Sequence, residues 1–157
     1  MVEIRKAFGY VTKNNKLLVF EQPDPTTGIP MPEAGIQVPG GTIERGESPE
    51  IAAKREVHEE TGLNNIELLS FFGKNAYSYD TSIYGKKVTH QRYFFHFHCI
   101  ENTPSRWQTI EKTPSDDPGH KIILQFWWVE INEQMPELIA GQGLMLPKLL
   151  ERMKKIT

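Results

Sequence analysis

A chain of 157 residues with 38% hydrophobic and 24% charged side chains is large enough to bury one core and too apolar to stay disordered. Its net charge of −2 gives no overall attraction to nucleic acid or to an anionic membrane, so an anionic substrate has to be met by local cations or a bound metal. The single cysteine excludes an internal disulfide framework, and no leader-like or membrane-spanning run is visible, which makes a reducing cytoplasm the expected compartment.

Residues 4–11 and 16–21 read as two strands joined at Asn14-Asn15, a hairpin turn. Residues 22–36 hold four prolines and two glycines and read as a loop, either the wall of a pocket or a decoration. Pro39-Gly40-Gly41 reads as a second loop, whose backbone comes close to a ligand or metal. A helix follows, with Ser48 as its cap, Pro49 at its first position and Gly62 as a left-handed stop. Residues 66–73 and 88–100 read as strands, 101–120 as a long loop, and 122–131 as an apolar strand. Cys99 falls in an apolar strand and reads as a buried, inert thiol. Leu146, Leu149, Leu150 and Met153 recur at helical spacing, so the chain closes on an amphipathic helix. Several strands and two helices predict an α/β fold, a mixed β-sheet covered on both faces in a single domain over residues 1–157.

The helix after the glycine segment carries the chemistry. Glu56, Glu59 and Glu60 fall within five residues, and at 3.6 residues per turn they share one face. Like charges that close repel unless a cation lies between them, and oxygen donors suit a hard cation, Mg²⁺ or Mn²⁺. Arg55 points about a quarter-turn from Glu56 and is not read as a ligand. Ala52 and Ala53 lie on the inner side, where small side chains allow close packing.

The stretch from Gly41 to Leu63, GTIERGESPEIAAKREVHEETGL, sets Gly41, Glu47, Arg55-Glu56-Val57, Glu59-Glu60 and Gly62-Leu63 at fixed intervals. In this it resembles the Nudix box, complete at every fixed position, and the chain is similar to the Nudix hydrolases. The resemblance implies a Nudix-like α/β/α sandwich and a metal-dependent pyrophosphohydrolase that cleaves a nucleoside diphosphate linked to another group by water attack at phosphorus. It also implies that Glu56, Glu59 and Glu60 hold the metal with the Gly40 carbonyl. Arg55 is expected to pair with Glu47 and keep helix and loop in register, so that Glu47, Arg55, Glu59 and Glu60 form the catalytic set. The water's proton goes to Glu59 or Glu60, or to an acid of the 101–120 loop, Glu111, Asp116 or Asp117, with His120 nearby.

Along 88–100 the sequence alternates, with His90, Arg92, Phe94, His96 and His98 on one face and Gln91, Tyr93, Phe95, Phe97 and Cys99 on the other. His96 and His98 lack a third familiar metal ligand and read as polar residues facing a cleft or solvent. Arg92 is expected to reach a phosphate, as could Lys86 and Lys87. Tyr77, Tyr79 and Tyr84 crowd one expected loop, and Tyr79 lies near where relatives acting on diadenosine polyphosphates carry a tyrosine. Tyr79 and Trp107, read as a tryptophan in a polar loop, are the expected base-stacking residues. Extra signatures flanking the box for NADH or coenzyme A are not evident. The expected partner is a small nucleoside diphosphate derivative, with no membrane, no stable nucleic-acid complex and a homodimer as one option. Two other uses of such a fold compete: a catalytically inactive nucleotide-binding or regulatory module, against which the complete set of acids stands, and an isopentenyl-diphosphate isomerase-like enzyme, against which the lone Cys99 stands.

Overall fold

The computed structural model describes residues 2–24, 26–29, 35–81, 85–111 and 122–156. Strands β1 (Val2–Lys13) and β2 (Lys16–Glu21) make the N-terminal hairpin. Asn14 and Asn15 turn it at φ of 50° and 59°, the left-handed pair of a tight hairpin that asparagine tolerates. The hairpin soon opens. β2 leaves β1 after two paired positions, and the vacated edge of β1 at Lys6–Phe8 is taken by β3 (Gly40–Thr42). The glycine segment expected as a loop is therefore a short strand.

Strand β4 runs from Ile66 to Thr81 and pairs along its length with β5 (Lys86–Cys99), past the expected stop at residue 73. Irregularities between Leu68 and Ser70 and between Phe71 and Gly73 bend it, with Gly73 at a φ of 135°. Beyond the bend the backbone bonds of β5 carry the polar sequence on as strand. Tyr77 and Tyr79 thus stand on a strand, not in a loop, and Tyr84 lies outside the described residues. The stretch expected as one long loop contains β6 (Arg106–Glu111), paired antiparallel to β7 (Ile122–Glu130). Asp116, Asp117 and His120 lie outside the described residues.

The sheet order is β4-β5-β1-β2-β7-β6, with β3 beside β1. β1 and β5 are parallel, Val2–Thr12 against Val88–His98, and the other pairs are antiparallel, so the sheet is mixed. Helix α1 (Pro49–Thr61) buries Ala52, Ala53 and Val57 with Ala7, Val11, Phe95 and Phe97 on one face. Helix α2 (Leu146–Ile156) buries Leu149 and Met153 with Tyr10, Phe72 and Phe94 on the other. Each of the larger apolar side chains, such as Val57, Leu149 and Phe97, contributes about 1.5–3 kcal/mol of burial. This is the expected three-layer arrangement.

Cover on both faces corrects one expectation. His96 is 0% exposed on the α2 side, where its ring stacks on Phe72 at 5.4 Å and Nε2 shares a 2.8 Å hydrogen bond with Thr12 Oγ1. Burial, then the charges of Arg152 and His98, push its pKa down to about 4. His98 is exposed.

Candidate functional site

Local sequence fixes helix α1 at both ends. Ser48 Oγ accepts the Ile51 N–H at 3.2 Å, Pro49 starts the first turn, and Gly62 closes the last at a φ of 78°. With Ala52, Ala53 and Val57 turned inward, Arg55, Glu56, Glu59 and Glu60 are left at the edge facing β3 and β6.

Arg55 uses all of its donors there. Nε and Nη2 grip the two oxygens of Glu47 at 2.7 and 2.9 Å, and Nη2 also reaches the Thr42 carbonyl at 3.0 Å. Nη1 donates to Glu56 at 2.9 Å and to Glu59 at 3.2 Å. Arg55 therefore does not turn away from the carboxylates; its long stem curls back and bridges three of them. A planar fork suits this task and an ammonium does not. Hydrogen bonds from Arg55 and from the Glu44 N–H hold the Glu47 carboxyl down at about 2.

Glu60 takes a different partner. Its Oε1 accepts the Gly40 N–H at 2.7 Å. Burial pushes its pKa well up, against that hydrogen bond, and the charges of Glu56, Glu111 and Glu59 push it further. Glu56 is also raised, by burial first and against the pull of Arg55. Glu111 comes from β6, and two contacts seat that strand against the helix: Thr109 Oγ1 donates to the Glu60 carbonyl at 2.5 Å, and Trp107 Nε1 to the Thr61 carbonyl at 2.9 Å. Glu44, Glu56, Glu59, Glu60 and Glu111 line one cavity of about 900 Å³.

As they stand, no three acidic, histidine or cysteine side chains among the described residues are gathered closely enough to hold an ion. Arg55 draws Glu56 and Glu59, while Gly40 draws Glu60. The donor chemistry nevertheless fits a hard dication: the donors are carboxylate oxygens, and burial, with the neighbouring carboxylates adding to it, raises both Glu56 and Glu60. Gly41 adds the room, since a Cβ there would fall 2.4 Å from the Glu56 carboxyl carbon.

On the other side of β3 is a second cavity of about 410 Å³, lined by Lys6, Phe8, Gly40, Gly41, Tyr77, Tyr79, His90, Arg92 and Gln142 among others. Tyr79 is 39% exposed and packs edge-on against His90 at 5.3 Å. Arg92 is 2% exposed, lies 4.6 Å over the Tyr77 ring, and donates to Asn75 Oδ1 and to the Ala140 and Gly141 carbonyls. Those carbonyls belong to a 3₁₀ turn, Ile139–Gly141, just before α2. The structure thus brings Tyr79 and Arg92 to one wall-sharing cavity, with most of the Arg92 donors already engaged.

Trp107 is not there. It stands on β6, stacked on Phe126 at 5.4 Å with its indole N–H spent on Thr61, and lines neither cavity. Its ring packs the edge strand onto Phe126, away from both of those cavities, and not beside Tyr79 as the base-stacking expectation would have it.

Sequence reading missed Lys6 and Gln142. Lys6 donates to Thr42 Oγ1 at 2.8 Å, and burial lowers its pKa against the attraction of Glu56, Glu60 and Glu111. A lysine between Ile4 and Phe8 on the inward side of a strand was the one available signal. Gln142 carried none.

Residues 3–149 match the NUDIX domain family. An RNA pyrophosphohydrolase from Bartonella henselae is 33% identical over 113 residues, 67% of this chain; the chain spans 61% of that relative's length. A MutT protein from Methanosarcina mazei Go1 superposes with a TM-score of 0.58 at 16% identity, covering 98% of this chain and 96% of that one. A NUDIX hydrolase from Nitrosomonas europaea gives 0.57 at 21% identity, covering 94% and 89%. Identities that low speak for the fold alone, but the family match takes in nearly every element from β1 into α2. The chain belongs to the Nudix hydrolase family.

Proposed function

We infer that this protein is a divalent-cation-dependent pyrophosphohydrolase acting on a nucleoside diphosphate linked to a further group. The observation that carries the reading is the position of β3: a carboxylate-lined cavity on one side, and on the other a cavity walled by tyrosines and cations. A diphosphate crossing Gly40-Gly41 would set its bridge beside the acids and its nucleoside against Tyr77 and Tyr79.

Glu56, Glu59 and Glu60 would hold Mg²⁺ or Mn²⁺ with the Gly40 carbonyl, and such an ion neutralises phosphate charge and acidifies bound water. Arg55 keeps Glu56 and Glu59 oriented through its grip on Glu47. Lys6, between the two cavities, offers the diphosphate a positive charge. Glu59, Glu60 or Glu111 accepts the proton of the attacking water. Tyr79 stacks on the base. The similarity to an RNA pyrophosphohydrolase supports cleavage at a phosphoanhydride. The lone, buried Cys99 suits a cytoplasmic protein, and no described helix is long and apolar enough to cross a membrane.

Product release from a panel of nucleoside diphosphate derivatives with Mg²⁺ or Mn²⁺ tests the reading. Turnover is expected with the wild type and a loss of several orders of magnitude in Glu59→Gln and Glu60→Gln. Full activity in both variants overturns the site assignment. Nucleotide binding without turnover for any derivative favours an inactive binding module instead.

A further inference from the structure

Among the described residues, the second cavity carries no carboxylate to face a ligand. No Asp or Glu is among the described residues that line it, whereas Lys6 and Arg92 are both donors. Stacking on Tyr77 and Tyr79 is tolerant, because every base has a π-face. Discrimination between bases has to come from a polar group held in a fixed orientation.

Gln142 is such a group. It is 7% exposed and pinned at three points of its backbone and side chain. Its N–H donates to the Ile139 carbonyl at 3.0 Å, its own carbonyl accepts Tyr10 Oη–H at 2.5 Å, and its side-chain Oε1 accepts the Val38 N–H at 2.9 Å. The last bond decides the amide. A backbone N–H can only donate, so Oε1 faces Val38, and a flip would set two donors against each other. The Nε2 amine donates to none of the described residues and belongs to a residue lining the cavity. Arg92 reinforces the arrangement by holding the Ala140 and Gly141 carbonyls immediately before Gln142. A ligand that reaches the Gln142 amide from this cavity meets Nε2, a donor.

We propose that Gln142 makes this cavity select a nucleobase that carries a ring carbonyl where its competitor carries an amine: hypoxanthine or guanine over adenine, uracil over cytosine. A carbonyl oxygen accepts from Nε2; an exocyclic amine at the same place confronts it donor to donor, and the mismatch leaves buried polar groups unpaired. The assignment rests on the nucleotide reading given above and adds to it the class of base.

The test is binding without metal, so that it does not depend on turnover. The intact protein is titrated with inosine and adenosine diphosphates, and with uridine and cytidine diphosphates, by calorimetry. The carbonyl-bearing member of each pair is expected to bind about tenfold or more tightly. Gln142→Glu keeps an acceptor for Val38 but turns the group facing the cavity into an acceptor. Its charge weakens all four nucleotides alike, so the ratio within a pair isolates the base, and that ratio should fall to one or below. Gln142→Met removes both polar atoms without adding charge and should bring the ratio to about one. Equal binding within both pairs by the wild type, or a preference that survives both substitutions, overturns the assignment. If nucleotides are hydrolysed in the panel above yet show no base preference, this inference alone fails. If none binds and none is hydrolysed, the nucleotide reading fails and takes the inference with it.

Discussion

Gly41→Ala places one methyl group where Glu56 already is. The added Cβ would stand 2.4 Å from the carboxyl carbon of Glu56 and 2.5 and 2.6 Å from its oxygens, against roughly 3.4 Å for an unstrained contact. The carboxylate must retreat by about 1 Å, and a misplacement of that size at a reacting centre costs roughly 10²-fold in rate, about 2.7 kcal/mol of barrier. Stability should change much less, because what moves is the tip of a flexible side chain; the loss belongs at the low end of the ~1–3 kcal/mol range for overpacking. Gly40→Ala is the contrast. Its Cβ would meet the Ala7 carbonyl at 2.6 Å and the Phe8 ring at 2.4 Å, neither able to yield freely, so it should fall at the upper end of that range. Steady-state kinetics with Mg²⁺ and thermal melts of both variants separate the effects. A Gly41→Ala enzyme within threefold of the wild-type kcat would refute the placement of Glu56 at the reacting centre.

Arg55→Lys keeps the charge but cannot span Glu47, Glu56 and Glu59 together, so kcat should drop by at least tenfold in the same assay; a fully active, equally stable lysine variant would contradict the bridging role. Tyr79→Ala and Trp107→Ala should part company: the first raises KM with little change in kcat, while the second lowers the melting temperature by costing about 2–4 kcal/mol of packing and one hydrogen bond. A rise in KM without loss of stability for Trp107→Ala would reverse that assignment. For His96, the folded pKa of about 4 lies below the unfolded 6.5, so the unfolded chain takes up a proton first as the pH falls. The contribution to stability is whole above 6.5, drains away between 6.5 and 4, and amounts to at most about 3 kcal/mol. Urea melts across that window should show a shallower fall in His96→Gln, and identical slopes would exclude the group.

What was legible in the sequence was local. The caps of α1, the shared face of its carboxylates and the parity of side chains on β5 depend on neighbours a few residues away, and the structure repeats them. What was illegible depends on partners. The polar second half of β4 and all of β6 are strands because β5 and β7 supply their backbone hydrogen bonds; charged and polar residues interleaved with Tyr77, Tyr79, Trp107 and Ile110 mask the strand propensity there. Alternation gave the two faces of β5 correctly but not which face is wet, so His96 was placed in a cleft although α2 covers it. Lys6 and Gln142 reach one cavity from a strand and a turn far apart in the chain, and only the fold makes them neighbours.

The parallel pairing of β1 with β5 also has a history in time. Every position of β1 from Val2 to Thr12 waits for a partner roughly 90 residues downstream, whereas β2 and β3 become available far sooner. At about 5–20 residues per second of synthesis, one edge of the first strand made stays open for on the order of ten seconds on the ribosome. That edge carries Phe8, Tyr10 and Val11 beside Glu3, Arg5 and Lys6. The charges at its start act as gatekeepers during the interval, discouraging nascent chains from pairing with one another. One of those charges, Lys6, later lines the second cavity.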